Sequence, residues 1–371
     1  MNIKCNLKEL VNGLNVISKS NNKTTMPILD GVLIEAYQNK LKLTTNDLEI
    51  GSEHTLDCNV IEEGSTVVDI KMLNEIVRKI EDIDIEIETK DSIFILKSIN
   101  GTFKLTTMNP SEYPRLPIFD VENSIVVKQK VLKDMIKRTS FAVSNDENRP
   151  IYNGALLKVE DNILTVVAID GFRLSLRKSV SAENINNFKA IIPGKVLNEL
   201  LKILVEDDEA LVKIGVNKNQ ALFEMGDTII ISRIIEGEFL NYNSIIPETS
   251  ETKVIIKTKK LSDSFDRVSL FAKENIEKDK KSPVKMSIGI DGVVLSCVSD
   301  TGDAKEDIDA VVEGKSIDIG FNPRYVLEAL KAIEDEEICI EFNSSISPVL
   351  IKPVNKNDFI YVVLPIKLRQ E

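Results

Sequence analysis

The sequence has no tryptophan, one histidine and four cysteines. The cysteines, Cys5, Cys58, Cys297 and Cys339, are scattered and form no C-x-x-C pair. That spacing predicts reduced core thiols. His54, in the polar run "GSEHTLD", excludes a histidine-rich metal site and would be the only base for a serine triad. Its surroundings predict a solvated position. Aromatic residues are 5% of the chain, too few for a base-stacking platform on single-stranded nucleic acid. No run approaches the roughly 18 apolar residues of a membrane helix. The opening "MNIKCNLKELVNG" has charges where a secretory leader needs an apolar core. A cytoplasmic protein with no membrane contact is expected. "EGKS" at Glu313–Ser316 would end a phosphate-binding loop only if position 309 were glycine, and it is Asp309. Asp170-Gly171 in "AIDGFRLS" is a turn pair without a glycine-rich cradle. The carboxylates include no marked pair, so no catalytic residue, metal or cofactor is expected.

What the chain does have is length and repetition. Its 371 residues, 43% hydrophobic, exceed one compact core and predict two or three domains. Apolar residues recur at helical spacing from Leu7, Leu132 and Leu261, offsets of 125 and 129 residues. A second helical set opens at Lys71, Lys195 and Arg324, offsets of 124 and 129. Between the helices the period falls to two. "KLKLTT", "ILTVVAI" and "GVVLSCVS" follow the first helices, and "IDIEIET", "ALVKIGV" and "ICIEF" the second. Each repeat therefore reads as two helices with several strands, an α+β unit. The closings also match: "SEYPRLP", "GEFLNYNSIIP" and "DFIYVVLPIKL". The expected domains are 1–120, 121–249 and 250–371. No connector follows the third closing, so Ile366 and Leu368 are expected to be free to line a surface pocket.

A net charge of −12 argues against nucleic acid on average, but the charge is uneven. Leu7–Lys23 carries +2, Lys128–Arg138 +4 and Lys257–Lys281 +3, leaving −21 for the rest. Each second helix opens on a cation, against its own dipole. An acidic body with basic helices suits a polyanion held on one face through its phosphates.

Taken in order, "TMPIL", "TTNDLEI", "IYNGALL", "VVAIDGFRLSL", "GEFLNYNSIIP", "IGFNPRYVLEAL" and "YVVLPIKL" resemble the bacterial DNA polymerase III sliding clamps, the β processivity subunits, over the whole chain. The resemblance implies three like clamp domains per chain and a head-to-tail homodimer that closes a six-domain ring. It implies a non-catalytic processivity factor that encircles duplex DNA without sequence preference. It would tether the replicative polymerase, clamp loader and repair proteins through short apolar peptides. The implied peptide cleft is Tyr152, Ile169, Gly171, Phe172, Arg173, Leu174, Leu240, Ser244, Ile245, Val362, Val363, Leu364, Pro365, Ile366 and Leu368. Leu240, Ser244 and Pro348 depart from the family pattern, and Phe172 and Ile169 make the floor greasier. The implied DNA-facing residues are Lys23, Lys71, Arg149 and Lys195, with Arg324 added by the repeat alignment. The implied dimer contacts are Phe103 and Leu105 against Leu270 and Phe271. The competing readings are a peptide-binding adaptor that never meets DNA and a carboxylate enzyme on a repeated α/β framework.

Overall fold

The computed structural model describes residues 1–19, 26–117, 119, 123–180, 186–272, 274–275, 280–356 and 358–368. Lys23 lies outside them. Six α-helices occur among the described residues, two per repeat: α1 (Leu7–Ile17), α2 (Ile70–Val77), α3 (Gln129–Lys137), α4 (Gly194–Ile203), α5 (Thr258–Ser269) and α6 (Pro323–Lys331).

Local chemistry sets their ends. The Asn6 side chain accepts the N–H groups of Lys8 and Glu9 at the start of α1, and Asp69 accepts that of Met72 in α2. Asn322 caps α6, with Pro323 in its first turn. These side chains satisfy helix N–H groups that have no partner within the helix. α3 and α5 each begin three residues before the apolar stripes predict. The first helix of every repeat follows its strand directly and is held by one recurring bond. The N–H of Leu7 donates to Ile83 O at 2.9 Å, that of Gln129 to Ala210 O at 2.8 Å and that of Thr258 to Glu336 O at 2.9 Å.

The chain forms two compact units, Met1–Lys133 with Ser181–Ile234 and Asp134–Val180 with Ile235–Glu371. In the first unit one antiparallel sheet runs from the strand Thr102–Thr106 at one edge to Asn123–Lys128 at the other. Its first-repeat and middle-repeat strands join where Ile50–Glu62 pairs with Thr228–Arg233. In the second unit the equivalent junction pairs Arg173–Val180 with Phe359–Val363. Another sheet there has Gly302–Ile308 at its edge, paired among the described residues only to Gly292–Ser299. Ile50–Glu62 of the first repeat and Arg173–Val180 of the second thus each pair with the last strand of the following repeat. Because the sheet crosses the repeat boundary, each unit holds one terminal repeat and part of the middle one.

α1 buries Leu7, Leu10, Leu14 and Ile17 in the first-repeat core, with Cys5, Leu43 and Phe94. α5 and α6 bury Leu261, Phe265, Val268 and Leu330 in the third-repeat core, with Tyr361 and Phe359. Cys5, Cys297 and Cys339 are buried, Cys58 is half-buried, and all four are free thiols.

His54 is not solvated as its neighbours in sequence suggest. It lies on the strand Ile50–Glu62 opposite Thr228, with Nδ1 2.9 Å from Thr228 Oγ1. Burial lowers its pKa, although Asp227 and Glu9 pull the other way.

A tight turn recurs after Lys40–Asn46, Ile163–Ile169 and Gly292–Ser299. Asp47 Oδ1 accepts the N–H groups of Glu49 and Ile50. Asp170 Oδ1 accepts those of Phe172 and Arg173, and Ser299 Oγ accepts that of Thr301. Leu48 (φ +73°) and Gly171 (φ +93°) occupy the same left-handed position, where glycine alone is unstrained.

Candidate functional site

In the second unit the Asp170 turn gathers the predicted cleft residues. The turn projects Phe172, which is 52% exposed. Its ring stacks on Tyr325 of α6, with centroids 5.9 Å apart. Arg173 points inward and is buried. Its Nε donates to Asp170 Oδ2 at 2.9 Å, Nη2 to the Phe141 carbonyl at 2.7 Å, and Nη1 to Glu328. The guanidinium also lies over the rings of Phe141 and Tyr325, at 5.4 and 4.7 Å. Burial raises the Glu328 carboxyl, but hydrogen bonds from Arg324 and Arg173 outweigh it, and the pKa falls below the usual carboxylate value.

The last strand closes the same region. Leu174 pairs with Val362, and Leu364 N–H donates to Phe172 O at 2.9 Å. Beyond Pro365 the backbone is tied to Gly320. Ile366 N–H donates to Gly320 O at 2.8 Å. A Cβ on Gly320 would sit 2.7 Å from Ile366 O and 2.8 Å from Leu368 Cδ2. Gly320 is therefore a seat for the closing segment, and only a residue without a side chain fits.

The predicted cleft residues divide by depth. Ile169, Arg173, Leu174, Val362 and Val363 are buried. Tyr152, Ile245, Leu364, Pro365, Ile366 and Leu368 are half-buried, while Gly171, Phe172, Leu240 and Ser244 are exposed. Tyr152 meets Phe239 edge to face at 6.1 Å. Arg149, predicted to face DNA, is 6.0 Å from the Tyr152 ring centroid and bonds Asp146. Its Nη1 lies 2.8 Å from where a Gly171 Cβ would be. The structure thus brings Arg149 beside the cleft residues.

The other predicted cations differ in their partners. Lys71 is exposed and makes no ion pair among the described residues. Lys195 holds Asp47 at 2.7 Å and Glu49 at 3.3 Å. Arg324 holds Glu328 at 2.9 Å and is also drawn on electrostatically by Asp170. Both internal junctions therefore set a second-helix cation near the turn carboxylate of the preceding repeat. Of the predicted interface residues, Leu270 is 72% and Phe103 36% exposed. Leu105 packs partly against the first-repeat core, and Phe271 against the third.

Three family models cover nearly the whole chain: the N-terminal domain of the DNA polymerase III beta subunit over 1–117, its central domain over 126–241 and its C-terminal domain over 243–367. The chain belongs to the DNA polymerase III beta subunit family. It is 35% identical over 356 residues to the beta sliding clamp of Staphylococcus aureus, covering 93% of each chain. It is 34% identical over 373 residues to that of Halalkalibacterium halodurans, covering 96% of this chain and 97% of the relative. The crystal structure of the Bacillus subtilis DNA polymerase sliding clamp superposes with a TM-score of 0.94 at 32% identity, covering 100% of both chains.

The sliding clamp is a non-catalytic processivity factor of DNA replication, so the enzyme and DNA-free adaptor readings are not favoured. No helix among the described residues is long and apolar enough to cross a membrane. Beside the clamp residues expected from the sequence stand Tyr325, Phe141, Glu328 and Gly320, which the motif reading missed. Tyr325 could have been noticed as the one aromatic in the stripe of α6. Gly320 had no signal, because nothing local marks the backbone that returns to it.

Proposed function

We propose that two copies of this clamp close head to tail into a ring around duplex DNA. Within each copy the domains are 1–120, 121–249 and 250–371. The pairing of edges carries this reading. Ile50–Glu62 of the first repeat pairs with the last strand of the second, and Arg173–Val180 of the second pairs with the last strand of the third. Among the described residues one strand of each kind remains with an open side: Gly302–Ile308 and Thr102–Thr106. Exposed edges are templates for another chain. Pairing these two across copies repeats the same junction a third time, and such a heterologous contact either closes or forms a filament. Phe103 and Leu105 lie on one of these strands. Phe271 lies beside Gly302, which begins the other. Leu270 precedes Phe271 at the end of α5.

A closed ring holds DNA by topology, so its phosphate contacts can be weak. Lys23, Lys71, Arg149, Lys195 and Arg324 supply them without base readout. Three of these, Arg149, Lys195 and Arg324, already hold a carboxylate. Each therefore contributes less than the about one counterion expected of a free cation. The clamp works in the cytoplasm, where it meets the replicative polymerase, clamp loader and repair proteins. Their short apolar peptides dock between Phe172, Tyr152, Leu240 and the closing segment. Retention on nicked circular DNA, with loss on linearisation, tests the ring. Escape from both at equal rates would sink it. Peptide titration after deleting Leu364–Glu371 tests the cleft, and unchanged affinity would remove the closing segment from it.

A further inference from the structure

We propose that Cys5 and Cys58 form a modification site, a thiol pair that a low-molecular-weight disulfide converts into a bond between neighbouring strands. The two residues face each other where Asn2–Asn6 pairs with Ile50–Glu62. Opposed residues of an antiparallel pair share a face, and both thiols pack with the first-repeat core.

Their backbone bonds define the type of pair. Cys58 N–H turns away from the first strand and donates to Asn39 O at 3.0 Å. On the first strand the odd-numbered residues turn the other way. Leu7 N–H reaches Ile83 O, and Met1 O receives Thr89 N–H, both at 2.9 Å. Cys5 shares that direction, so the two cysteines form a non-hydrogen-bonded pair. Such pairs hold their Cα atoms about 4.5 Å apart with side chains close. A disulfide spans about 4.4–6.8 Å. The bond can therefore close without moving either strand far.

Access favours Cys58 as the first nucleophile, since it is half-buried and Cys5 is 3% exposed. The Cys58 thiolate attacks one sulfur of a disulfide RSSR, and the other leaves as a thiolate that takes up a proton. Cys5 then loses its proton and attacks the Cys58 sulfur of the mixed disulfide, expelling the second thiol. The two cysteines are oxidised and RSSR is reduced to two RSH.

Burial, then Asp57, pushes the Cys58 thiol up to about 11, and burial, then Cys58, pushes Cys5 to about 12. The first step is therefore slow at neutral pH and gains about tenfold per pH unit on the alkaline side. The site responds to sustained oxidation and ignores a brief pulse. Closing it ties the first strand to the strand that also carries the junction with Thr228–Arg233.

The test is incubation of the full chain with glutathione disulfide at about pH 8.5. The intact mass should lose two hydrogens, and the four alkylatable thiols should fall to two. Proteolytic fragments should be joined through Cys5 and Cys58. The unfolding midpoint should rise by roughly 5 °C and return with dithiothreitol. Cys58→Ser should lose no hydrogens. Four thiols after prolonged exposure, a reaction that stops at a glutathione adduct on Cys58, or an internal bond that still forms in Cys58→Ser would each overturn the proposal.

Discussion

Replacing Arg173 by methionine keeps most of the side-chain volume and removes the guanidinium. In the folded chain that group is 5% exposed and joins the turn, α6 and the loop at Phe141 through three hydrogen bonds. The partners left behind are not equally harmed. Asp170 keeps the N–H groups of Phe172 and Arg173, at 2.9 and 3.1 Å. Glu328 keeps Arg324 at 2.9 Å. The Phe141 carbonyl loses its donor, at a cost of about 1–3 kcal/mol. The total should stay below the roughly 3–5 kcal/mol of a buried pair broken outright, and about 2–3 kcal/mol is expected. Denaturant unfolding followed by hydrogen exchange along Arg173–Val180 measures it. The same change removes the guanidinium from over the Tyr325 ring, on which Phe172 stacks, so peptide affinity should fall about tenfold, or 1.4 kcal/mol. Since the clamp has no tryptophan, a tryptophan in the peptide gives an uncontaminated fluorescence signal. Arg173→Lys should fall between the two, because an ammonium cannot reproduce the planar fork. A stability loss under about 1 kcal/mol with unchanged peptide affinity would refute the argument that this cation positions the cleft.

Gly320→Val should push Ile366 and Leu368 off their seat, weakening peptide binding about tenfold while the dimer persists; titration beside sedimentation separates the two effects. Leu270→Asp with Phe271→Asp should give a folded monomer, since Leu270 is 72% exposed in the single chain and a charge buried at an interface costs several kcal/mol; a persistent dimer by light scattering would contradict the edge pairing. The depressed Glu328 carboxyl supports the fold above the ordinary glutamate range, and that support is lost as pH falls through its lower folded pKa. Peptide affinity in Glu328→Gln should therefore be lower at neutral pH and flatter toward acid than in the parent, as read by anisotropy.

The repeat was legible because helical and strand periods differ and each was written three times. The stripe from Leu7 to Ile17 faces the core as its spacing predicts. The strands Ile163–Ile169 and Gly292–Ser299 fall where alternation and β-branching place them. Helix starts were less legible at Gln129 and Thr258, where a bond from a distant loop, not an apolar side chain, begins the helix. The cations opening the second helices stood out against the dipole, and the structure supplies the reason at Lys195 and Arg324: each meets carboxylates. His54 misled because its polar neighbours alternate outward while its own side meets Thr228, a residue far along the chain. The depth of Leu174 and Val362 was equally hidden, since pattern does not say which strand will cover a strand.

The recurring turn carries different side chains on one backbone. Around Asp170, a glycine takes the left-handed position, a phenylalanine faces outward and Leu174 follows. Around Asp47 the matching residues are Leu48, Glu49 and Gly51, and the side chain of Leu116 fills the space over Gly51. The backbone is the same, yet one copy presents an exposed aromatic ring and the other a carboxylate already held by Lys195. The two copies thus differ by a handful of side chains, with no change of fold or loop. A graft of phenylalanine at Glu49 and leucine at Gly51, with Leu116 cut back to alanine, is the shortest route toward a second docking wall on the same scaffold.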